Sequence, residues 1–266
     1  MKIPKKVINR LPSPLKAFSK IALNQRSRDV AEADTVTLVK DIMADCFGYD
    51  KYSELTSEHQ VRGTFCDLAI KIEGRIQFLV EVKGAGTQLN ESHIAQAVNY
   101  GANEGIEWVV LTNSIEWKLY RIKFTQPLSR EEVTSFSLPE VNLRSEDDLR
   151  RVFLLCREGL SAGAMDTFHK NAQILNRYTI AELLKSDSVA SIVRREFRKL
   201  FPDVKIDTSN ISDLLMNEIL KRDVVEGDKV KEAETRVRKA SRKLEKQKMK
   251  KLQNQESQDT SYPSAS

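Results

Sequence analysis

The sequence lacks any apolar run long enough to cross a bilayer, since its longest runs, such as Trp108–Leu111, fall far short of about 20 residues. It also lacks the apolar block of a signal peptide, because prolines interrupt the basic N-terminal segment. Cysteine is scarce, and the three that are present lie far apart without metal-ligand spacing: Cys46, Cys66 and Cys156. Each lies in an apolar pattern, so we expect buried free thiols in a reducing cytosol. These absences predict a cytoplasmic protein with no membrane partner.

The sequence does have the composition of a soluble, folded protein. Of its 266 residues, 40% are hydrophobic and 30% are charged, which is enough for a core in one or two domains. The net charge of +5 is distributed unevenly: residues 1–28 hold eight Lys/Arg and no acid, residues 226–252 carry +6, and residues 29–225 carry −7. Basic ends on an acidic body suit a polyanion partner, although charge runs also keep tails soluble.

Hydrophobic periodicity predicts an α/β fold. The predicted elements are a helix (29–47), two strands (65–72 and 75–83), a helix (90–105) and two strands (107–113 and 116–122). This order of helices and strands indicates a mixed α/β domain. Trp108 and Trp117 lie in the strand patterns, so we expect both in the core.

Composition shifts divide the chain into five segments. They are a basic N-terminal arm (1–28), the α/β domain (29–126), a linker with Pro127 and Pro139 (127–142), a helical domain (143–225) and a basic tail, either helical or disordered (226–266). The helical domain is expected to supply DNA contacts, dimerisation or both, and a homodimer is one expectation for the assembly.

The segment CDLAIKIEGRIQFLVEVKG, residues 66–84, predicts a hairpin with acids near its core. A three-residue loop, Glu73–Arg75, keeps the even-numbered residues of both strands on one face. Counting back from this loop pairs Leu68 with Val80. Asp67 then lies opposite Glu81, at the Cα separation of about 4.5–5.5 Å expected for facing residues of an antiparallel pair.

Facing carboxylates on adjacent strands repel each other, so this pair needs an explanation. A divalent cation between Asp67 and Glu81 would remove the repulsion, and their hard oxygen ligands suit Mg²⁺ or Mn²⁺. Such an ion activates water and polarises a phosphoryl oxygen. Lys83 follows on the same face, where its ammonium could stabilise charge on a phosphate. The alternative is an ordinary solvated sheet face.

Asp67 followed by Glu81-Val82-Lys83 resembles the PD-(D/E)xK signature of the restriction-endonuclease-like superfamily. The EADT context of Glu32 resembles the first helix of the N-terminal nuclease domain of type I restriction enzyme R subunits. The spacing of Gln96 and Tyr100 matches the Gln-xxx-Tyr motif of that group. The resemblance covers residues 29–125. Cys66 stands where the named motif has proline, and no Walker-type phosphate loop follows.

The resemblance implies a restriction-endonuclease-like mixed sheet flanked by helices, with Mg²⁺-dependent (or Mn²⁺-dependent) hydrolysis of DNA phosphodiester bonds. It implies metal ligation by Asp67, Glu81, the Val82 carbonyl and Glu32. It implies catalytic roles for Asp67, Glu81, Lys83, Gln96 and Tyr100. The expected setting is restriction, defence or DNA processing in a prokaryotic or phage cytoplasm, with RNA not excluded as a substrate.

Several alternatives stay open from the sequence alone. Glu32 could simply be a first-turn acid that complements a helix dipole, and Gln96 and Tyr100 could pack against or cap their helix. A cluster of cations predicts nucleic-acid contacts after a helix and turn, or else the polar face of a bundle helix: Arg194, Arg195, Arg198 and Lys199. The rival functions are an inactive binding module with the same fold and a transcription or replication accessory factor.

Overall fold

The computed structural model describes residues 2–61 and 64–259, with side chains over residues 2–57 and 66–250. Its strands are β1 (Leu55–Val61), β2 (Thr64–Ile72), β3 (Arg75–Val82), β4 (Trp108–Thr112), β5 (Glu116–Lys123) and β6 (Ser129–Ser137). Its α-helices are α1 (Lys5–Arg10), α2 (Pro12–Ser27), α3 (Glu32–Asp41), α4 (Ala95–Glu104), α5 (Glu146–Leu155), α6 (Arg157–Ser161), α7 (Ala164–Ile174), α8 (Arg177–Leu184), α9 (Asp187–Leu200), α10 (Thr208–Leu214), α11 (Arg222–Val225) and α12 (Asp228–Asp259). Short π-helices continue α3 (Ile42–Cys46) and α10 (Leu215–Ile219), and a 3₁₀ turn follows β6 (Leu138–Glu140).

The chain forms two compact units, Met1–His169 and Lys170–Ser266. The first unit holds a six-stranded mixed sheet in the order β1-β2-β3-β4-β5-β6. Only the β3–β4 pair is parallel among the pairs that the structure describes, and α4 makes the crossover between those two strands. The predicted α/β class, with a mixed sheet flanked by helices, is confirmed.

Each face of the sheet buries an apolar layer. One face packs against α2, α3 and α5 through residues that include Leu68, Phe78 and Trp117. The other face packs against α4 through residues that include Leu79 and Tyr100. The predicted burial of both tryptophans and of all three free cysteines is confirmed. A sheet covered on both faces gives the ends of its strands a rigid support.

The basic segment at 1–28 differs from the irregular arm that its charges suggest. It forms α1 and α2, and its apolar residues Val7 and Leu11 are fully buried in the core. The Arg10 guanidinium fixes this segment by donating to the carbonyl oxygens of Cys46 (3.0 Å) and Phe47 (3.2 Å) and to both Glu158 carboxylate oxygens (2.8 Å each). Val7 and Leu11 are four residues apart and therefore share one helical face, which is why the segment docks.

The segment at 127–142 also differs from the expected linker, because it contains β6. This strand pairs antiparallel with β5 and places Val133 and Phe136 against the core. Pro127 and Pro139 flank the strand rather than interrupt its ladder, so they do not prevent pairing. The first unit then continues through α5 and α6 into α7, beyond the boundary near residue 143 that composition suggests.

All the regular secondary structure of the second unit is helical in the residues that the structure describes. Side-chain caps define two of its helix starts: Asn176 accepts from the backbone of α8, and Asp207 forms a capping box with Asn210 at α10. Within the described part of the basic tail, Asp228–Asp259 form a helix, α12. No helix in the described part of the chain is both long and apolar enough to span a membrane.

Candidate active site

The turn of the β2–β3 hairpin has two residues, so the prediction of a three-residue loop is wrong. Ile72 pairs with Arg75, and the turn consists of Glu73 (φ 51°) and Gly74 (φ 77°). Positive φ at both positions is the geometry of a type I′ turn, whose twist matches the flanking strands. By itself, this turn would place the even-numbered residues of the two strands on opposite faces.

A β-bulge restores the face assignment. Lys71 pairs with Ile76 and Ile70 pairs with Phe78, which leaves Gln77 as the extra residue on β3. Beyond the bulge, Leu68 pairs with Val80, as predicted. The ladder therefore has the predicted register as far as the Leu68–Val80 pair, although it reaches that register through a two-residue turn and a bulge.

Asp67 lies where the regular alternation of β2 breaks. Cys66 packs in the layer against α4, whereas Leu68 packs in the opposite layer. The Asp67 Oδ2 atom accepts a hydrogen bond from the Val82 backbone N–H at 2.7 Å. In an extended strand the N–H and C=O of one residue point to the same side, so we expect the Val82 carbonyl to face the β2 side as well. Asp67 thus holds the backbone at the end of β3.

Glu81 is the buried member of the acidic pair, with 4% of its surface exposed. Its Oε1 accepts a hydrogen bond from Lys83 Nζ at 2.7 Å. Burial raises the pKa of Glu81 to about 7; the Lys83 hydrogen bond opposes this shift, whereas the negative charges of Asp67 and Glu32 add to it. Asp67 and Glu81 are thus close enough to influence each other, as the hairpin register predicts.

Lys83 connects Glu81 with Glu32. Its Nζ lies 3.6 Å from Glu32 Oε1, and Glu32 is the first residue of α3. Burial alone would lower the pKa of Lys83, but the hydrogen bond to Glu81 and the surrounding carboxylates outweigh it and raise that pKa. Lys83 is therefore a held cation next to the acidic pair, anchored by its backbone N–H bond to the Thr112 carbonyl (2.8 Å).

Thr35, which sequence reasoning missed, ties α3 to the loop that follows β3. Its Oγ1 accepts a hydrogen bond from the Ala85 N–H at 3.1 Å, and Thr35 is fully buried. Its position three residues after Glu32 places both on one face of α3, and this spacing is the signal that could have identified it. The bond holds Glu32 beside Lys83.

Gln96 and Tyr100 occupy α4, which begins after the loop leaving the carboxyl end of β3. Gln96 is exposed in the first turn of α4. Tyr100 is buried in the layer between α4 and the sheet, where burial and the negative charge of Glu104 raise its pKa. This placement makes Tyr100 part of the packing beneath the site, and leaves Gln96 exposed near the edge where β3 ends.

The carboxylates fit a magnesium-type ion by their chemistry. Among the described residues, no three His, Cys, Asp or Glu side chains form a group that could hold a metal. Mg²⁺, however, commonly uses one or two carboxylates and retains several waters. Asp67 and Glu81 supply two carboxylates, and we expect the Val82 carbonyl to face the same side. A cation would also relieve the unfavourable charge that the raised pKa of Glu81 reflects.

The predicted cations of the second unit lie together on α9. Arg194, Arg195, Arg198 and Lys199 line an open groove of about 510 Å³ with Ser191 and Ile192. Glu196 pairs with Arg195 Nε (3.1 Å) and Lys199 Nζ (3.0 Å). Part of the positive charge on this helix is thus compensated locally.

Comparison with known proteins adds no further assignment. The sequence matches no protein-family model, and neither the search of curated proteins nor that of solved structures found a significant match.

Proposed function

We propose that this protein is a metal-dependent nuclease that hydrolyses phosphodiester bonds in DNA. The observation that carries the proposal is the buried Glu81 carboxylate beside Asp67, with the Lys83 ammonium 2.7 Å from Glu81 at the end of β3. Carboxylates and one ammonium on adjacent strands are the groups that metal-assisted phosphoryl chemistry needs.

The element order gives independent support. A helix (α3) is followed by an antiparallel β1-β2-β3 meander, a crossover helix (α4) and a strand (β4) parallel to β3. The acids lie at the end of the central hairpin of this arrangement. This order is compatible with the restriction-endonuclease-like fold that the PD-(D/E)xK resemblance implies.

The residues would divide the reaction as follows. Asp67, Glu81 and the Val82 carbonyl would hold the Mg²⁺ or Mn²⁺, which when bound polarises the phosphoryl oxygen and lowers the pKa of water. Lys83 presents its ammonium to the negative charge that develops on the phosphate. Glu32 contacts Lys83 and positions it.

A plasmid-nicking assay with Mg²⁺ or Mn²⁺ tests this proposal. We expect metal-dependent nicking by the wild type, and loss of nicking in Asp67→Asn and Lys83→Met. Asp34→Asn and Lys40→Met are matched controls, since both residues lie on α3, form no ion pair among the described residues, and should leave nicking unchanged. Nicking that survives in Asp67→Asn and Lys83→Met would assign the activity to a contaminant or another site.

The α9 groove favours a second candidate, a nucleic-acid-binding protein without cleavage. Four cations on one helix supply sequence-independent phosphate contacts. DNA that is shifted but uncut, with the same affinity in Asp67→Asn, would support this candidate.

A further inference from the structure

The carboxyl end of α2 lies next to the candidate active site. Asp29 follows this helix, and its Oδ1 is so close to Gly86 that a Cβ at Gly86 would lie only 2.9 Å away. Val30 likewise places its carbonyl oxygen 3.9 Å from where a Gly84 Cβ would be. Gly84 directly follows Lys83. The segment leaving α2 therefore packs on the loop that leaves the site.

Two arginines mark this end of α2. Arg26 lies in its last turn and Arg28 is its C-cap residue. Both are exposed, and neither forms an ion pair within the part of the chain that the structure describes. Their guanidinium groups are therefore available to an anion from solution.

The chain length limits how far Arg28 can be from the site. Arg28 and Glu32 are four positions apart in the chain, and the Glu32 carboxylate lies 3.6 Å from Lys83 Nζ. A fully extended chain of that length spans at most about 14 Å. A DNA strand carries one phosphate per about 3.4 Å of helix axis, so this span corresponds to about four nucleotides.

The position of α2 is fixed rather than flexible. Leu15 and Ala22 are buried in the core of the first unit, and the chain just before α2 is held by the Arg10 contacts. The backbone that carries Arg26 and Arg28 is thus anchored to the same core that supports the candidate site.

A nucleic acid approaching this site meets several carboxylates. Asp29, Glu32, Asp67 and Glu81 all lie on the elements that meet there. Their repulsion of neighbouring phosphates is not compensated by Lys83 alone, because Lys83 already pairs with Glu81 and Glu32. A polyanionic strand therefore needs further positive charge beside the reacting phosphate.

We propose that Arg26 and Arg28 form a flanking-phosphate subsite, which binds the substrate strand within a few nucleotides of the scissile bond. The inference rests on the proposed nuclease function and deepens it, because it names the substrate class. The substrate is a nucleic-acid strand that extends beyond the cleaved bond, rather than a mononucleotide or a simple phosphodiester.

The test compares Arg26→Ala/Arg28→Ala with Lys16→Ala/Lys20→Ala. The lysines are a matched control because they are exposed cations of the same helix, with Lys20 about 12 Å from Arg28 along the axis at 1.5 Å per residue. With a DNA duplex, we expect KM to rise about tenfold in the arginine variant and the salt slope of log(kcat/KM) to fall by about 1–2. The lysine variant should remain close to wild type.

Two further measurements isolate the subsite. Hydrolysis of bis(p-nitrophenyl) phosphate, which has no flanking phosphate, should be unchanged in the arginine variant. Arg28→Lys, made in the wild-type background, should retain most of the duplex affinity, since lysine still binds phosphate as a point charge. An equal loss in both double variants would show only diffuse electrostatic attraction and would overturn the subsite.

A binding experiment separates failure of the subsite from failure of the nuclease proposal. Fluorescence anisotropy of a labelled duplex in Ca²⁺ measures binding whether or not the protein cleaves. Absence of cleavage by the wild type, with binding that weakens selectively in the arginine variant, would overturn the nuclease and retain the subsite. Unchanged binding and salt slope in the arginine variant, or no binding by the wild type, would overturn the subsite.

Discussion

The sheet-containing first unit and the helical second unit differ in how they bury apolar side chains. The largest fully buried side chains all belong to the first unit, including Trp117, Phe47 and Phe153. In the second unit, Leu200 is 73% exposed and Ile219 is 65% exposed. A site that must hold two carboxylates against their own repulsion needs the rigidity of a close-packed core, and the candidate site lies in the unit that has one.

The largest effect should come from core truncation in the first unit. Trp117→Ala should lower the free energy of unfolding by about 3–5 kcal/mol, because it removes a fully buried ring. Leu200→Ala should change it by less than about 0.5 kcal/mol. Urea unfolding followed by circular dichroism measures both. A large loss of unfolding free energy in Leu200→Ala would contradict the difference in burial between the two units. It would show that the surface around Leu200 is covered in solution.

The Arg10–Glu158 pair should give the next largest effect. Arg10→Ala should cost about 3 kcal/mol, since it leaves the half-buried Glu158 carboxylate without its main partner. Lys199→Ala, which removes an exposed ion pair of the second unit, should cost no more than about 1 kcal/mol. Urea unfolding followed by tryptophan fluorescence measures the Arg10→Ala cost in the first unit, because both tryptophans lie there. Circular dichroism measures the Lys199→Ala cost in the helical second unit.

The pH dependence of stability tests the Arg10–Glu158 pair in a second way. The Arg10 hydrogen bonds lower the pKa of Glu158 from 4.5 to about 2. The wild type should therefore lose stability as the pH falls from 4.5 towards 2, because the unfolded state takes up the proton first. In Arg10→Ala, this loss should shrink. If both proteins lost stability equally steeply between pH 4.5 and 2, Arg10 would not be the cause of the low pKa of Glu158.

Glu81 should show a pH effect of the opposite sign. Its folded pKa of about 7 exceeds the usual 4.5, so the native state binds the proton more tightly. Without metal, stability should fall as the pH rises from 4.5 to 7, by at most about 3 kcal/mol. Glu81→Gln should lose this slope and be more stable than wild type at neutral pH in EDTA.

Adding metal tests whether the ion binds at Glu81. Mg²⁺ or Mn²⁺ should restore stability to the wild type at neutral pH, because an ion that binds only the native state stabilises it. Glu81→Gln should respond less. Equal metal responses in thermal unfolding would argue that the ion binds elsewhere.

The sequence predicted the Leu68–Val80 pair, which brings Asp67 and Glu81 to the same end of the hairpin, because strand periodicity depends on few assumptions. It did not predict the bulge at Gln77, since an extra residue leaves no mark in an alternating pattern that resumes afterwards. The first strand, β1, was missed because its charged and polar residues, as in Ser57-Glu58-His59-Gln60, do not alternate in polarity.

Charged residues also prevented the prediction of two other parts of the fold, the N-terminal helices and the last strand. The cations and prolines of residues 1–28 obscured the apolar face that docks α1 and α2, and the edge strand β6 carries Glu131 and Glu132 within its sequence. The roles of Arg26 and Arg28 depend on where α2 ends relative to the loop after Lys83. That distance is set by tertiary packing, which a local pattern does not encode.

Asp67 also caps the end of a strand, because its carboxylate accepts the hydrogen bond from the Val82 N–H that a main-chain carbonyl would otherwise accept. An amide side chain offers the same kind of oxygen without the charge, whereas a methyl group offers none. Alanine at this position would therefore fray the hairpin and abolish ligation at once. Asparagine would keep the hydrogen bond to Val82 and remove only the charged metal ligand. Lost activity in Asp67→Asn would therefore report on the chemistry and not on a frayed hairpin.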